Sequence, residues 1–458
     1  MRHDLFGQPT SLDSPNALED WNAAQLAFLA HGASTPKHLG AVLAAEPHFA
    51  LGQAVRGLFM LLLGRSEMLD VAAEAHDAAL MALKHGQVSP RERLFVTALS
   101  RWIEGRPSAS VTALEQVLDD HPDDILALKL GHAIRFVLGD NHGMRASIER
   151  VMPAYAPDHP GRGYLLGCHA FALEETGDYQ KAEIAGRQAL WMAPDDAWGL
   201  HAVAHVHDMT CDARAGLDWL EGREAAWAHC NNFRFHVWWH KALMHLDLGQ
   251  VDEVLALYDA EVRKERTDDY RDISNATSLL ARLELEGVAV GDRWDELADL
   301  CARRTDDGSL IFADLHYLLA LTATGDRDGQ ARLVARIARD GQRQQTETQE
   351  RMADPGLAAA RGLQAFGEGE YGRAFADLAG VRDRMQRAGG SHAQRDVFER
   401  ITIDAGLRAG RFDAVEDILN DRRRTRAGRD DHFAAIRRDL ILAERGHGGA
   451  DRKSVPAQ

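Results

Sequence analysis

The chain has 458 residues, 45% hydrophobic and 27% charged, with 53 basic against 70 acidic side chains and a formal net charge of -17. That length exceeds one compact core, so several domains or one extended array is expected, with the composition of a soluble protein. An acidic surface of this size argues against nucleic-acid and membrane partners.

Residues 1–15 (MRHDLFGQPTSLDSP) hold no apolar run, so no secretory leader is read there, and they are set apart as an N-terminal segment. The most apolar run, Leu58–Leu63, is far too short to cross a bilayer. From there onward apolar residues recur every three to four positions. Leu114, Val117 and Leu118 share one helical face, as do Leu279 and Leu283, and no stretch alternates cleanly enough to demand a strand. Cysteines stand at 168, 211, 230 and 301 with no C-x-x-C pair, which fits reduced thiols and a cytoplasmic location.

A repeat emerges at His121-Pro-Asp-Asp124. Its counterpart, Ala193-Pro-Asp-Asp196, lies 72 residues on, close to two helical hairpins of about 34 residues each. Turn signals of one kind recur at Gly177-Asp-Tyr179, Gly249-Gln-Val251, Gly369-Glu-Tyr371 and Gly410-Arg-Phe412. Residues 163–196 fit the tetratricopeptide pattern: Gly177 and Tyr179 in the turn, Ala182 and Ala189 where helices meet, Pro194 closing the unit. The expectation is an all-α, irregular tetratricopeptide-like α-α solenoid, a right-handed superhelix of helical hairpins over 16–445, its two halves meeting near 265–275. The tail 446–458 has no apolar face and is expected to be disordered.

Five stretches carry a family resemblance: DAWGLHAVAHVHDM (196–209), FHVWWHKAL (235–243), SLLARLELEGVAVGDRW (278–294), FADLHYLLAL (312–321) and GGSHAQRDVFERI (389–401). In this order the chain resembles the tetratricopeptide repeat protein 38 family over roughly 15–445. The resemblance implies a curved all-helical repeat fold and little about activity. Gln394, Arg395 and Asp396 match the family pattern. His392 departs from it, a polar non-His residue being usual there, so no metal-ligand role passes to His392.

Seven of the 22 histidines fall within 201–245, where an even spread would put about two. His201 and His205 are four apart and share a helical face, with Trp198 nearby. His236 and His240 form a second such pair. His207 lies on another side of the helix. Two such pairs on facing helices can hold one divalent transition metal, the cofactor candidate, through His201, His205, His236 and His240. Neither pair is His-Glu-x-x-His, so the zinc-protease signature is absent. The metal-free alternatives are a polar pocket, or histidines packed as core among Trp191, Trp198, Trp219, Trp227, Trp238 and Trp239.

The leading functional reading is a His/Trp-lined pocket inside the superhelix for a small-molecule or peptide ligand. Its expected lining is Trp198, His201, His205, His236, Trp239, His240, Asp272, Asp314, His316, Gln394, Arg395 and Asp396. The alternatives are a hydrolase and a pure protein-interaction scaffold. The hydrolase would be metal-assisted, with catalytic candidates His201, His205, His236, His240, Asp314 and His316. Arg395 could clamp an anion, although a buried Arg–Asp brace is the preferred reading of 394–396. Glu174-Glu175 and the Arg-rich 422–438 stretch are both expected on solvated faces. The latter could also cap a repeat end or pair in a homo-oligomer. The nucleotide-binding and nucleophile-elbow signatures are missing, and no cysteine is read as a nucleophile.

Overall fold

The structure, a computed structural model, describes residues 2–85 and 88–451. The repeated Pro-Asp-Asp motif works as a helix start. Asp124 accepts a hydrogen bond from the Ala127 amide at 3.1 Å, and Asp196 from the Gly199 amide at 3.2 Å, each satisfying an amide that the first helical turn leaves free. Gly177 ends the Arg162–Glu175 helix in the left-handed region at φ 83°, where a Cβ would be strained. Its hairpin partner, Tyr179–Met192, buries Ala182 and Ala189 completely, so the two helices approach closely. Hairpin after hairpin of this kind makes an all-α, tetratricopeptide-like solenoid. Among the described residues the strand content is the pair Arg2–His3 and Pro9–Thr10, antiparallel and too short for alternation to reveal. Its turn buries Phe6, and Leu12 follows it into the core.

The core has two large apolar clusters. One runs from Phe6 to Val206 and the other from Trp239 to Ile401, continuous across 265–275. A smaller group from Ala197 to Met244 lies between them. Trp191, counted with the core tryptophans above, is instead 84% exposed, because the outer face of its helix has no neighbour there.

The array winds until it meets itself. Arg304 reaches Glu67 at 3.0 Å, the Glu347 amide donates to the Gly105 carbonyl, and Gln386 donates to the Gly139 carbonyl at 2.7 Å. Further along, the His392 amide donates to Glu175 at 2.8 Å and Arg426 to the Asp208 carbonyl at 3.2 Å. These partners are 217 to 247 residues apart, roughly six to seven hairpins. A second turn of the superhelix therefore rests on the first, and the concave face becomes an interior. The last helix, His432–Asp451, extends into the expected tail; residues 452–458 of that tail lie outside the described residues.

The seam overturns two surface expectations. Within the Arg-rich stretch, Arg422, Arg426 and Arg437 are buried. Asp396 accepts from Arg400 at 2.7 Å and from Arg426 at 3.3 Å, and also pairs with Arg422; Asp431 accepts from Arg400 and Arg422. Burial alone would raise the Asp396 carboxyl, but Arg422, Arg400 and Arg426 outweigh it and hold it well below the usual range. Glu174 and Glu175 are buried too, because residues 392–395 of the later turn close over the end of their helix.

Candidate functional site

The Ala197–Met209 and Phe233–Asp247 helices bring the two histidine pairs face to face. Four Nε2 atoms converge. His201 lies 2.9 Å from His205 and 3.1 Å from His236, and His236 lies 3.2 Å from His240. All four ligand atoms fall within 4.8 Å of one another. His207 stays on another face of its helix, as its angular offset requires.

Outer partners fix two of the rings. His236 Nδ1 faces Asn275 Oδ1 at 2.9 Å, a geometry in which Nδ1 carries the proton and Nε2 keeps its lone pair. Glu174 Oε2 lies 3.3 Å from His205 Nδ1, near enough for an ion pair though off the line of a good hydrogen bond. Both Glu174 oxygens and the Nδ1 atoms of His201 and His240 are buried without a hydrogen-bond partner. Burial lowers His236 to about 3 and holds His201 and His240 well below the ordinary histidine value. At His205 burial acts the same way, yet the Glu174 carboxylate outweighs it and the ring is raised.

Beside the imidazoles lies a cavity of ≈ 990 Å³. Trp198, His201, His236 and Gln394 of the expected set line it, while His205 and His240 stand behind the first two rings. His236 keeps some exposure through this space; the other three rings are buried. Much of the wall is apolar or aromatic, including Phe28, Phe59, Phe136, Phe171, Phe233 and Phe312. Its charged residues are Arg56, Lys129, Arg234 and Arg271, and among the described residues no Asp or Glu lines it. Sequence reasoning missed these cations and the N-terminal wall. A lone Arg in a helix gives no local sign of the surface it will face.

The remaining expected residues do not join the cavity wall. Trp239 stacks on His236 at 5.1 Å and donates to Ser278 from behind it. Asp272 is tied to Asn232 at 2.6 Å and to Thr267, and burial raises its carboxyl to about 6. Asp314 is turned to Arg336, both almost fully buried, and His316 Nδ1 donates to the Phe312 carbonyl at 2.8 Å. Neither reaches the histidine cluster, since the helix that follows supplies Asp314 with a cation of its own. Arg395 is held by the Gly390 carbonyl and Glu175, and Asp396 by the arginines of the seam, so the two neighbours go to different partners rather than to each other. Burial raises Cys168 and Cys211 to about 11 and Cys230 to about 12, the reverse of an activated nucleophile.

No protein-family model matches the chain. Among solved structures it is similar to the human IFIT1 dimer with PPP-AAAA, at 13% identity over 86% of this chain and 94% of that one, with a TM-score of 0.42. Human IFIT1 with m7Gppp-AAAA is also similar, at 13% identity over 95% and 96%, TM-score 0.35. So is the TPR domain of P58(IPK), at 14% identity over 86% and 89%, TM-score 0.20. At such identities the likeness concerns the helical repeat fold. The two IFIT1 structures hold PPP-AAAA and m7Gppp-AAAA, and the expectation of no nucleic-acid partner, drawn from net charge, is withdrawn. A net charge of -17 sums over the whole surface and does not set the sign of a cavity, which here carries four cations. Among the described residues no helix is long and apolar enough to cross a membrane.

Proposed function

We propose that this chain is a ligand-binding repeat protein whose cavity takes an anion carried on an apolar or aromatic body. One observation carries the reading. In a chain with 70 acidic residues, a cavity of ≈ 990 Å³ is lined by four cations and no carboxylate among the described residues. Chance placement does not favour such a lining, and a low-dielectric wall strengthens the field of each cation. Arg234 and Arg271 are already paired with Glu265 and Asp269, so Arg56 and Lys129, whose ammonium has no hydrogen-bond partner, serve the anionic head; the phenylalanines and Trp198 hold the body. A carboxylate or phosphate on a small molecule and the free end of an apolar peptide share this chemistry. The finer resemblance, to the tetratricopeptide repeat protein 38 family, is part of the same proposal. So is a cytoplasmic location, which four free cysteines support.

The test is a set of titrations on the purified chain. The probes are a fluorescent long-chain carboxylate, its methyl ester, an apolar peptide with a free C-terminus, an aromatic organophosphate and a 5′-triphosphorylated oligonucleotide. Saturable binding of at least one anion is expected, weakened more than tenfold by Arg56→Glu and by Lys129→Gln. An ester that binds as tightly as its acid would remove the anionic head from the reading. Silence from every probe would remove the pocket.

A further inference from the structure

Four Nε2 atoms within 4.8 Å of one another pose a problem of hydrogen-bond supply. A ring nitrogen has one in-plane site, either a proton or a lone pair. The contacts run as a chain, His205 to His201 to His236 to His240. Each inner nitrogen would have to serve two neighbours with one site, so at most two of the three contacts can be hydrogen bonds. An ion at the centre removes the conflict, because every lone pair then points at it.

We propose that His201, His205, His236 and His240 together bind one divalent first-row transition ion through their Nε2 atoms. The spacing fits. Metal–nitrogen bonds of about 2.0–2.1 Å in a tetrahedron set nitrogens roughly 3.3–3.4 Å apart; three of the contacts here are 2.9, 3.1 and 3.2 Å, and all four nitrogens lie within 4.8 Å of one another. The tautomers fit. Asn275 on His236 Nδ1 and Glu174 beside His205 Nδ1 both favour a proton on the outer nitrogen, which frees the inner one. The charge fits as well. Four neutral imidazoles leave the ion's charge unbalanced, and Glu174, fully buried with both oxygens lacking a hydrogen-bond partner, faces the cluster through His205. An all-imidazole set selects zinc, copper, nickel, cobalt or iron over magnesium and calcium, which take oxygen ligands. His201 and His236 also line the cavity, so the ion lies in its wall, against whatever the cavity holds. The site does not depend on the anion reading: the ion can bind whether or not the cavity takes a ligand.

The experiment is elemental mass spectrometry on untagged full-length protein, as purified and after reconstitution with Zn(II) or Co(II) alone. About one equivalent per chain is expected. The cobalt form should show the intense visible ligand-field bands of a four-coordinate site. His201→Ala/His236→Ala should abolish uptake, and Glu174→Gln should weaken it by about ten- to a hundredfold. X-ray absorption of the wild-type zinc form needs no variant, and four nitrogen scatterers with imidazole outer shells are expected. Wild-type protein that takes up no ion overturns the proposal. So does a zinc shell dominated by sulfur or oxygen, or a folded double variant that keeps its full equivalent.

Discussion

The Asp396 cluster and the His201 cluster are both buried and polar, and both lie where superhelical turns or neighbouring hairpins meet. At Asp396 opposite charges pair off: Arg282, Arg400, Arg422 and Arg426 surround Asp396, and Asp431, Glu399, Glu286 and Asp208 take the remaining positive charge, although the Nε atoms of Arg282 and Arg422 find no hydrogen-bond partner. At His201 the count does not close. Nitrogens meet nitrogens, and Glu174 sits with no hydrogen-bond partner. A closed set of charges holds two helices in register. An unclosed set of lone pairs in a cavity wall has capacity left for something that is not protein.

The largest effect should come from breaking the closed set. Asp396→Ala leaves buried arginines uncompensated and should cost about 3–5 kcal/mol in chemical denaturation; a loss below about 1 kcal/mol would mean that the seam is solvated and the contrast is false. Next is a linked pair of measurements on the open set. With metal at a hundred times its dissociation constant, the wild type should gain about 2.7 kcal/mol, and His201→Ala/His236→Ala should gain nothing. The same double variant in metal-free buffer should lose clearly less than Leu200→Ala, whose buried side chain is worth about 2–5 kcal/mol. Equal losses would make the histidines core.

Acid should separate the clusters a third way. Burial holds His236 of the cluster, and His316 outside it, at about 3 when folded, whereas unfolded histidine titrates near 6.5. Between those values the unfolded chain binds the extra protons. Metal-free stability should therefore fall as pH drops from about 6.5 towards 3, each such histidine adding about 1.4 kcal/mol per pH unit to the slope. The Asp396 carboxyl, depressed by its arginines, adds stability that is complete above about pH 4 and fades only below it, as the folded carboxyl takes up its proton. Denaturation midpoints at pH 7, 5.5 and 4 would check this, and a flat profile down to pH 5 would contradict it. The smallest effect belongs to Trp191→Ser. At 84% exposure its loss should change stability by less than about 0.5 kcal/mol, read as an unchanged thermal midpoint.

What could be read from the sequence was local. Gly177 and the caps Asp124 and Asp196 announce themselves within a few residues, and so does each His-x-x-x-His pair. That the two pairs would face each other followed from adjacent hairpins. What escaped depended on distant partners. Glu175 meets His392 across 217 residues, so nothing near it marked it as buried. The Arg-rich stretch reads as surface until Asp396 and Asp404 are set against it. Asp314 and His316 look like companions of the histidine cluster only while Arg336 is out of view. Residues 28–63 form one wall of the cavity although no motif there hints at a ligand.

The contact of one superhelical turn with the next has a kinetic consequence. An open repeat array is nearly one-dimensional: each hairpin needs only its neighbours, and folding can start anywhere and fray from either end. Here Arg304 cannot find Glu67, nor Gln386 the Gly139 carbonyl, until most of the intervening chain is ordered. Such non-local closure raises contact order, slows folding and binds the ends into one cooperative unit. Truncation at either terminus should therefore loosen the contact between turns rather than simply shorten the array by one hairpin.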